Sequence, residues 1–469
     1  MSNDSSSRIA RGLAERIRSA PANAQLPSTR ELVAEYGASP VTVQKALRAL
    51  RAEGLIETRP GVGTFARRAP VARPSDFGWQ SAALAPRTHR IPRSPAALRG
   101  AGESRYALHT GYPHRELLPE ALVRSAFARA ARHHAAQDRA PVAGLPELQA
   151  WFATELARLA PRGHTPPAAS DAIVIPGSQT GLGTTFHALV GAGRPLLVES
   201  PTYWGAIAAA ARVGVDLIPV PSGPHGPDLD ELERAFARTG ARAFYAHPTY
   251  ANPSGAQWSE EVADRVLELA VSHGAFIIED DWAHDFGITT DPRPLAARDV
   301  DGHVVYLRSL TKSISPAVRV AGLIARGPAR ERILSETQAE SMYVSGVLQE
   351  VALDVVTRPA WATHLRGLRQ ALRARRDLLA DAVAEHAPQA YVEAVPAGGL
   401  NLWARLPDDL SAGDVAAACE RRGLLVAPGD EWFPAEPSGP FLRLNYSGPS
   451  PDRFPDAARI LGEVLDGRL

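Results

Sequence analysis

The chain's chemistry concentrates at a lysine flanked by hydroxyls: Ser309-Leu-Thr311-Lys312, with Arg319 seven residues further on. The chain has only two lysines, Lys45 and Lys312, among 51 Lys and Arg residues. Arginine stays protonated and cannot attack a carbonyl, whereas a desolvated lysine amine can. A solitary lysine in an arginine-rich body marks a position that needs an amine rather than a charge, though by composition alone it is equally a chance survivor. The flanks decide between the two. Ser309 and Thr311 offer hydroxyls and Arg319 a fixed cation; together they can hold a phosphate beside an amine that forms a Schiff base. This is the pattern expected of a pyridoxal 5'-phosphate site.

A carboxylate lies upstream. Ile277-Ile-Glu-Asp280 is an apolar strand ending in acids, which places Asp280 at a sheet edge. Near a pyridine nitrogen, such a group keeps the ring protonated. Near a metal it would be a ligand, but no matching His/Asp set accompanies it, and no metal is expected. His284 reads as a surface or supporting residue. Ile175-Pro-Gly-Ser178-Gln179-Thr180 runs from a strand into a Gly/Ser turn and a helix start, which suits an anion but is also a common turn. Tyr203, just past another strand, is equally ordinary packing. The proline-bounded loop His247–Gly255, which contains Asn252, is equally a plain turn.

Several elements must position these groups. From about Tyr106, apolar strands alternate with helical segments: Ala172–Pro176, Pro195–Glu199, Asp216–Val220, Ala243–His247, Phe276–Asp280, Val304–Ser309 and Gly322–Ala325. This predicts an α/β body with a mostly parallel sheet, helices on its faces and sites at strand C-terminal ends. At 469 residues, two or three domains are expected. No run approaches the roughly 18 apolar residues of a membrane span. The polar start, Met1-Ser-Asn-Asp-Ser-Ser-Ser, lacks a signal peptide's apolar core, and the single Cys419 excludes an internal disulfide framework. A soluble cytoplasmic protein is expected.

Net charge is zero but unevenly spread. Residues 1–70 hold 11 Lys/Arg against 6 Asp/Glu (+5), and the remainder 40 against 45 (−5). Only the front end is therefore suited to a polyanion. There, Ile9, Leu13 and Ile17 mark one face of a first helix. Ser28-Thr-Arg30-Glu31 is a capping box opening a second, which carries Leu32 and Val33. After a turn at Tyr36–Ala38, Ser39-Pro40 reads as N-cap and first residue of a third helix. In it Val43, Leu47 and Leu50 face inward, leaving Val41, Thr42, Gln44, Lys45 and Arg48 outside. Strands near Leu55–Arg59 and Thr64–Arg67, joined by Pro60-Gly61-Val-Gly63, form a wing, and the whole is a winged helix-turn-helix. Five prolines from Pro70 to Pro95 imply a semi-rigid spacer on which Phe77 and Trp79 dock against a neighbouring surface.

Leu26-Pro-Ser-Thr-Arg-Glu-Leu32, Ser39-x-x-Thr42-Val43, Glu53-Gly-Leu-Ile56 and Gly61-Val-Gly-Thr-Phe65 resemble the DNA-binding domain of GntR-type regulators. By that resemblance Arg30, Thr42, Gln44 and Gly61 touch duplex DNA, with Ser39, Lys45 and Arg48 on the same surface. Pro40 and Gln44 stand where many members carry arginine. Over residues 104–469 the strand-end motifs, in their order, resemble fold-type I aminotransferases. That resemblance implies pyridoxal phosphate held by Ser178, Gln179, Ser309, Thr311 and Arg319. It further implies Tyr203 stacked on the ring, Asn252 at the ring hydroxyl, Asp280 at the ring nitrogen and Lys312 in covalent linkage. Arg443, in Phe441-Leu-Arg-Leu-Asn-Tyr446, falls where the family binds a substrate carboxylate, and Arg139 in the segment that reaches the partner subunit's phosphate. Trp282 replaces a usual tyrosine, and Asn401 a histidine usual in the regulator subfamily, so slow or absent transamination is expected.

The whole resembles the MocR/GabR subfamily. The implied layout is a winged helix (1–69), a linker (70–103), a large cofactor-binding domain (104–350) and a small α+β domain (351–469). The expected function is a cofactor-responsive transcription regulator, a head-to-tail homodimer that binds a DNA operator and senses an amino acid, an amine or pyridoxal phosphate. A true aminotransferase carrying a DNA-binding domain is the alternative, and a body serving only for dimerisation is disfavoured by the retained lysine.

Overall fold

The computed structural model describes residues 5–21, 23–67, 96–100, 106–161 and 164–467. The chain divides into two compact units, Met1–Arg87 and Thr88–Leu469. Phe77, Trp79 and all of the expected spacer except 96–100 lie outside the described residues.

In the first unit, α1 (Ser5–Ser19), α2 (Thr29–Tyr36) and α3 (Pro40–Ala52) precede the hairpin β1 (Ile56–Arg59) and β2 (Gly63–Ala66). The start of α2 is the capping box read above: the Ser28 hydroxyl accepts from the Glu31 amide and the Glu31 carboxylate from the Ser28 amide. Gly37 ends α2 at φ 57°, a conformation that costs other residues energy. Ser39 caps α3, with Pro40 in its first turn. Ile9, Leu13, Leu32, Val43, Leu47, Leu50 and Ile56 form the core. A pairing not foreseen ties Ala24 and Leu26 along β2, through Ala66 N–H to Ala24 O at 2.7 Å and Leu26 N–H to Thr64 O at 2.8 Å.

The second unit is built on an eight-stranded sheet of order β4-β11-β10-β9-β8-β5-β6-β7. After the short β3 (Tyr106–Ala107), its strands are β4 (Ala172–Ile175), β5 (Pro195–Ser200), β6 (Asp216–Gly223), β7 (Gly226–Pro227), β8 (Ala243–Ala246), β9 (Phe276–Asp281), β10 (Val304–Ser309) and β11 (Ala321–Ile324). Every strand expected from the sequence is present. β6, β5, β8, β9 and β10 are mutually parallel, while β11 runs antiparallel to both β10 and β4. Strands buried on both faces read as continuous apolar runs, as β4, β8 and β11 do.

A second, antiparallel sheet joins β12 (Tyr391–Val392), β13 (Asn401–Arg405), β16 (Phe441–Asn445) and β15 (Ala427–Pro428), while β14 (Leu424–Leu425) pairs with β3. Helix Gly346–Thr357 still packs Val351 and Val355 against Leu148 and Phe152 of the large layer. The long helix Pro359–His386 then crosses between layers. Its Trp361 belongs to the core beside the eight-stranded sheet, and Leu372, Leu379 and Val383 to the core around the second sheet. No helix among the described residues is long and apolar enough to cross a membrane.

Candidate functional site

Parallel strands bring their C-terminal ends to one edge, and a cavity of about 320 Å³ opens there. Ser178, Gln179, Tyr203, Asn252, Asp280, Trp282, Ser309, Thr311, Lys312 and Arg319 all line it. Residues from 178 to 319 thus converge because β4, β5, β8, β9 and β10 each end at this edge. Arg319 arrives by a different route. It precedes β11, whose reversed direction carries the strand's N-terminal flank to the same edge.

Past β10, Leu310 and Ile314 are buried and pin the loop, while the Ser309 Oγ accepts the Thr311 amide at 3.3 Å. Lys312, between these anchors, turns its amine toward the Trp282 ring, with Nζ 4.1 Å from the centroid. Desolvation lowers the amine pKa to about 7, with Arg443 and Arg319 pushing the same way and Asp280 opposing. This amine therefore loses its proton far more readily than an ordinary lysine.

Register on β9 separates two adjacent acids. Asp280 pairs with Leu307 and Asp281 with Arg308, so their side chains take opposite faces of the sheet. Asp280 faces the cavity. One oxygen accepts the Tyr245 hydroxyl at 3.1 Å, with His247 Nε2 at 3.6 Å, and the other has no partner. Asp281 lies behind the sheet, bonded to Tyr306 at 2.7 Å and His284 at 2.6 Å. Burial pushes its carboxyl upward, but His284, Tyr306 and Arg308 outweigh this and hold it below the usual carboxylate range.

The helix Ser178–Leu189 starts at the cavity with no side chain capping its first amides, and the Ser178 hydroxyl has no partner. Gly177 sits at φ 89°, and a Cβ there would lie 2.5 Å from Arg319 Nη2. Arg319 makes no ion pair with any described residue, so a guanidinium, a hydroxyl and helix amides share one concave corner, which is an anion cradle. The Gln179 amide instead donates to Gly205 O at 2.7 Å. A Cβ on Gly205 would lie 2.4 Å from the Tyr203 ring, so that glycine makes room for the flat side chain. Asn252 Oδ1 accepts from Trp432 Nε1 at 3.2 Å and Arg443 Nη1 at 3.4 Å, while Trp282 Nε1 and Thr311 Oγ1 have no partner.

Three expected residues do not line the cavity. Arg443 is buried on β16, its Nη2 donating to the carbonyls of His109 and Thr110 at 3.0 Å each. Burial lowers its pKa to about 10, and it has no ion pair among the described residues. Asn401 is buried on β13 opposite Asn445, its Oδ1 unpartnered. Arg139 is exposed on a loop. The sequence reading missed Tyr112, Leu98, Trp204 and Pro316 in the lining, and Tyr245 and His247 behind Asp280. Alternation along β8 could have flagged Tyr245, whereas Tyr112 carries no periodic signal.

In the first unit Arg30, Ser39, Gln44, Lys45, Arg48 and Gly61 are exposed and Thr42 half-buried. The Ser39 hydroxyl is occupied, however, by the Thr42 amide at 3.2 Å and the Thr42 hydroxyl at 2.8 Å.

A low-pKa amine, a carboxylate with one free oxygen, an anion cradle and flat rings are the complement of a phosphorylated pyridine aldehyde, so the pocket fits pyridoxal phosphate. Comparison with known proteins agrees. The family model "Aminotransferase class I and II" matches residues 113–461, and "Bacterial regulatory proteins, gntR family" matches residues 5–66. The chain is 27% identical to 2-aminoadipate transaminase of Thermus thermophilus over 76% of this chain and 89% of that one. It is 28% identical to the probable rhizopine catabolism regulatory protein MocR of Rhizobium meliloti over 92% of this chain and 87% of that one. The structure of LysN, the α-aminoadipate aminotransferase of Thermus thermophilus, complexed with N-(5'-phosphopyridoxyl)-L-leucine, superposes with a TM-score of 0.74 at 26% identity, covering 83% of this chain and 98% of that one. With its pocket built for pyridoxal phosphate and a GntR domain at its front, the chain belongs to the aminotransferase class I and II family, in the MocR/GabR subfamily of GntR-type regulators.

Proposed function

We propose that this chain is a pyridoxal-phosphate-dependent transcription regulator whose body senses an amino acid, an amine or the cofactor itself and thereby sets affinity for a DNA operator. The supporting observation is that one chain holds both the Lys312 pocket and a winged helix whose exposed face carries Gln44, Lys45 and Arg48. In this reading residues 1–69 bind DNA, 70–103 connect, 104–350 hold the cofactor and 351–469 contribute Arg443. The protein acts in the cytoplasm as a head-to-tail homodimer.

When bound, pyridoxal phosphate supplies an aldehyde carbon and an electron-withdrawing ring. The neutral fraction of Lys312 makes it a nucleophile near pH 7, where an ordinary lysine is almost wholly protonated. Asp280, oriented by Tyr245, would hold a proton on the ring nitrogen through the oxygen that has no protein partner. Ser178, the helix amides, Ser309, Thr311 and Arg319 would take the phosphate, with Gln179 bracing the turn beside them. Arg139 reaches the phosphate of a neighbouring subunit. Tyr203 would flank the ring, and Asn252 and Trp282 would serve its hydroxyl side. Arg443, a buried cation with no ion pair among the described residues, would take the carboxylate of an amino acid, with Asn401 on the neighbouring strand.

The test is operator binding by the cofactor-loaded full-length protein on its own upstream DNA at moderate salt, titrated with common amino acids and simple amines. A compound that changes the pocket's visible absorbance should shift operator affinity, and DNA should shift that compound's affinity by the same factor. Failure to bind the upstream DNA, or saturation of the pocket with operator affinity unchanged, would refute the regulator reading. Intact Lys312, Asp280, Asn252 and Arg443 favour a second reading, an active aminotransferase. Trp282 weighs against it, because an indole has a different reach from a tyrosine hydroxyl at the ring. Steady-state transamination should therefore stay far below the enzyme range of about 1–1000 per second. Ordinary rates with accumulating keto acid would reverse the assignment.

A further inference from the structure

The first unit exposes two large apolar side chains among its described residues, Val41 at 73% and Val62 at 63%. Both stand on the elements a winged helix presents to a duplex, α3 and the wing tip between β1 and β2. Val41 occupies the second position of α3, and Gln44, Lys45 and Arg48 follow it at helical spacings of three, four and seven. All four are exposed, so they form one face. Val43, Ala46, Leu47 and Leu50 take the other face and fill the core. Val41 contributes nothing to that core, and water solvates a polar side chain at such a site at no cost. An apolar group there is suited to a contact that forms only when a partner covers it.

The partner's chemistry follows from the face itself. In the major groove the apolar feature on a base edge is the thymine 5-methyl group, and a glutamine amide matches the donor and acceptor of adenine. The first two turns of α3 carry Pro40, Val41, Thr42 and Gln44 and no arginine, with Lys45 as their one cation. Residues near the N-terminus of a recognition helix are the ones that reach base edges. Building on the DNA-binding reading above, we infer that Val41 packs on a thymine methyl group in the major groove of the recognised half-site, with Gln44 set to read an adenine beside it.

The experiment selects preferred duplexes from a random pool with cofactor-loaded full-length protein. Each thymine of the selected site is then replaced by deoxyuridine, which removes the methyl group alone. Loss of one buried methyl-sized contact corresponds to about 0.8 kcal/mol, or about fourfold in affinity. Wild type should lose about that much at one position per half-site, while Val41→Ala should bind thymine and uracil sites alike. Val41→Ala should keep the wild-type unfolding midpoint and the wild-type salt dependence on random DNA, because the side chain is outside the core and makes no charge contact. Wild type indifferent to every replacement overturns the inference while leaving DNA binding intact. Equal losses in wild type and Val41→Ala overturn it too, assigning the methyl contact to another residue. A pool that yields no selected duplex removes the DNA-binding reading and this inference together.

Discussion

Asp280→Asn and Asp281→Asn, two isosteric changes at adjacent positions, should fail in different ways. Asp280 offers the cavity a carboxylate oxygen with no protein partner, while Tyr245 holds its other oxygen at 3.1 Å. An amide there cannot hold a proton on a ring nitrogen by charge. A hydrogen bond to a charged group contributes about 1.5–3 kcal/mol, so cofactor retention should weaken about 10- to 150-fold. Stability without cofactor should change little, since the amide oxygen can still accept from Tyr245. Asp281 faces the other side and serves Tyr306 at 2.7 Å and His284 at 2.6 Å. Its neutralisation should cost the body about 1–3 kcal/mol of stability and leave cofactor affinity near wild type. The assays are equilibrium dialysis read by the cofactor's visible band, and urea unfolding of the cofactor-free protein. A signature accompanies the first variant. Asp280 opposes the desolvation that lowers the Lys312 pKa, so removing its charge should push that pKa below 7. Equal cofactor loss in both variants, or a larger loss at Asp281, would refute the register argument.

Lys312→Ala should abolish the borohydride-trappable adduct. In wild type the rate of cofactor capture should rise through pH 7 and level off above it, since only the neutral amine reacts and its pKa is lowered to about 7; a rate still climbing at pH 9 would contradict this. Arg443→Ala should weaken binding of amino acids about 10- to 150-fold, from a lost charged hydrogen bond of about 1.5–3 kcal/mol, yet spare amines that lack a carboxylate; equal losses for both classes, measured by absorbance titration, would remove Arg443 from the ligand's carboxylate. Arg30→Ala should weaken binding to all duplexes alike and reduce the salt slope by about one, whereas Gln44→Ala should change sequence preference; the opposite pattern in salt-dependent anisotropy would exchange their roles.

Local chemistry by itself settles much of this protein. Capping at Ser28 and Ser39, and the helical spacing of Val43, Leu47 and Leu50, are contacts between near neighbours in the chain, so pattern alone locates them. Apolar runs that end in Asp280 or Ser309 announce strand ends, and a lone lysine beside hydroxyls announces an amine. What pattern could not supply was direction and face. β11 reads like its neighbours, yet it runs antiparallel, and only this reversal brings Arg319 to the edge where Gly177 makes room for it. Tyr112, the Tyr245 bond to Asp280 and the burial of Arg443 against the carbonyls of His109 and Thr110 are long-range contacts between elements. The low pKa of Lys312 is a property of the assembled cavity rather than of the residues beside it in sequence. Desolvation depends on everything packed around a group, and that sum exists only once the sheet has assembled.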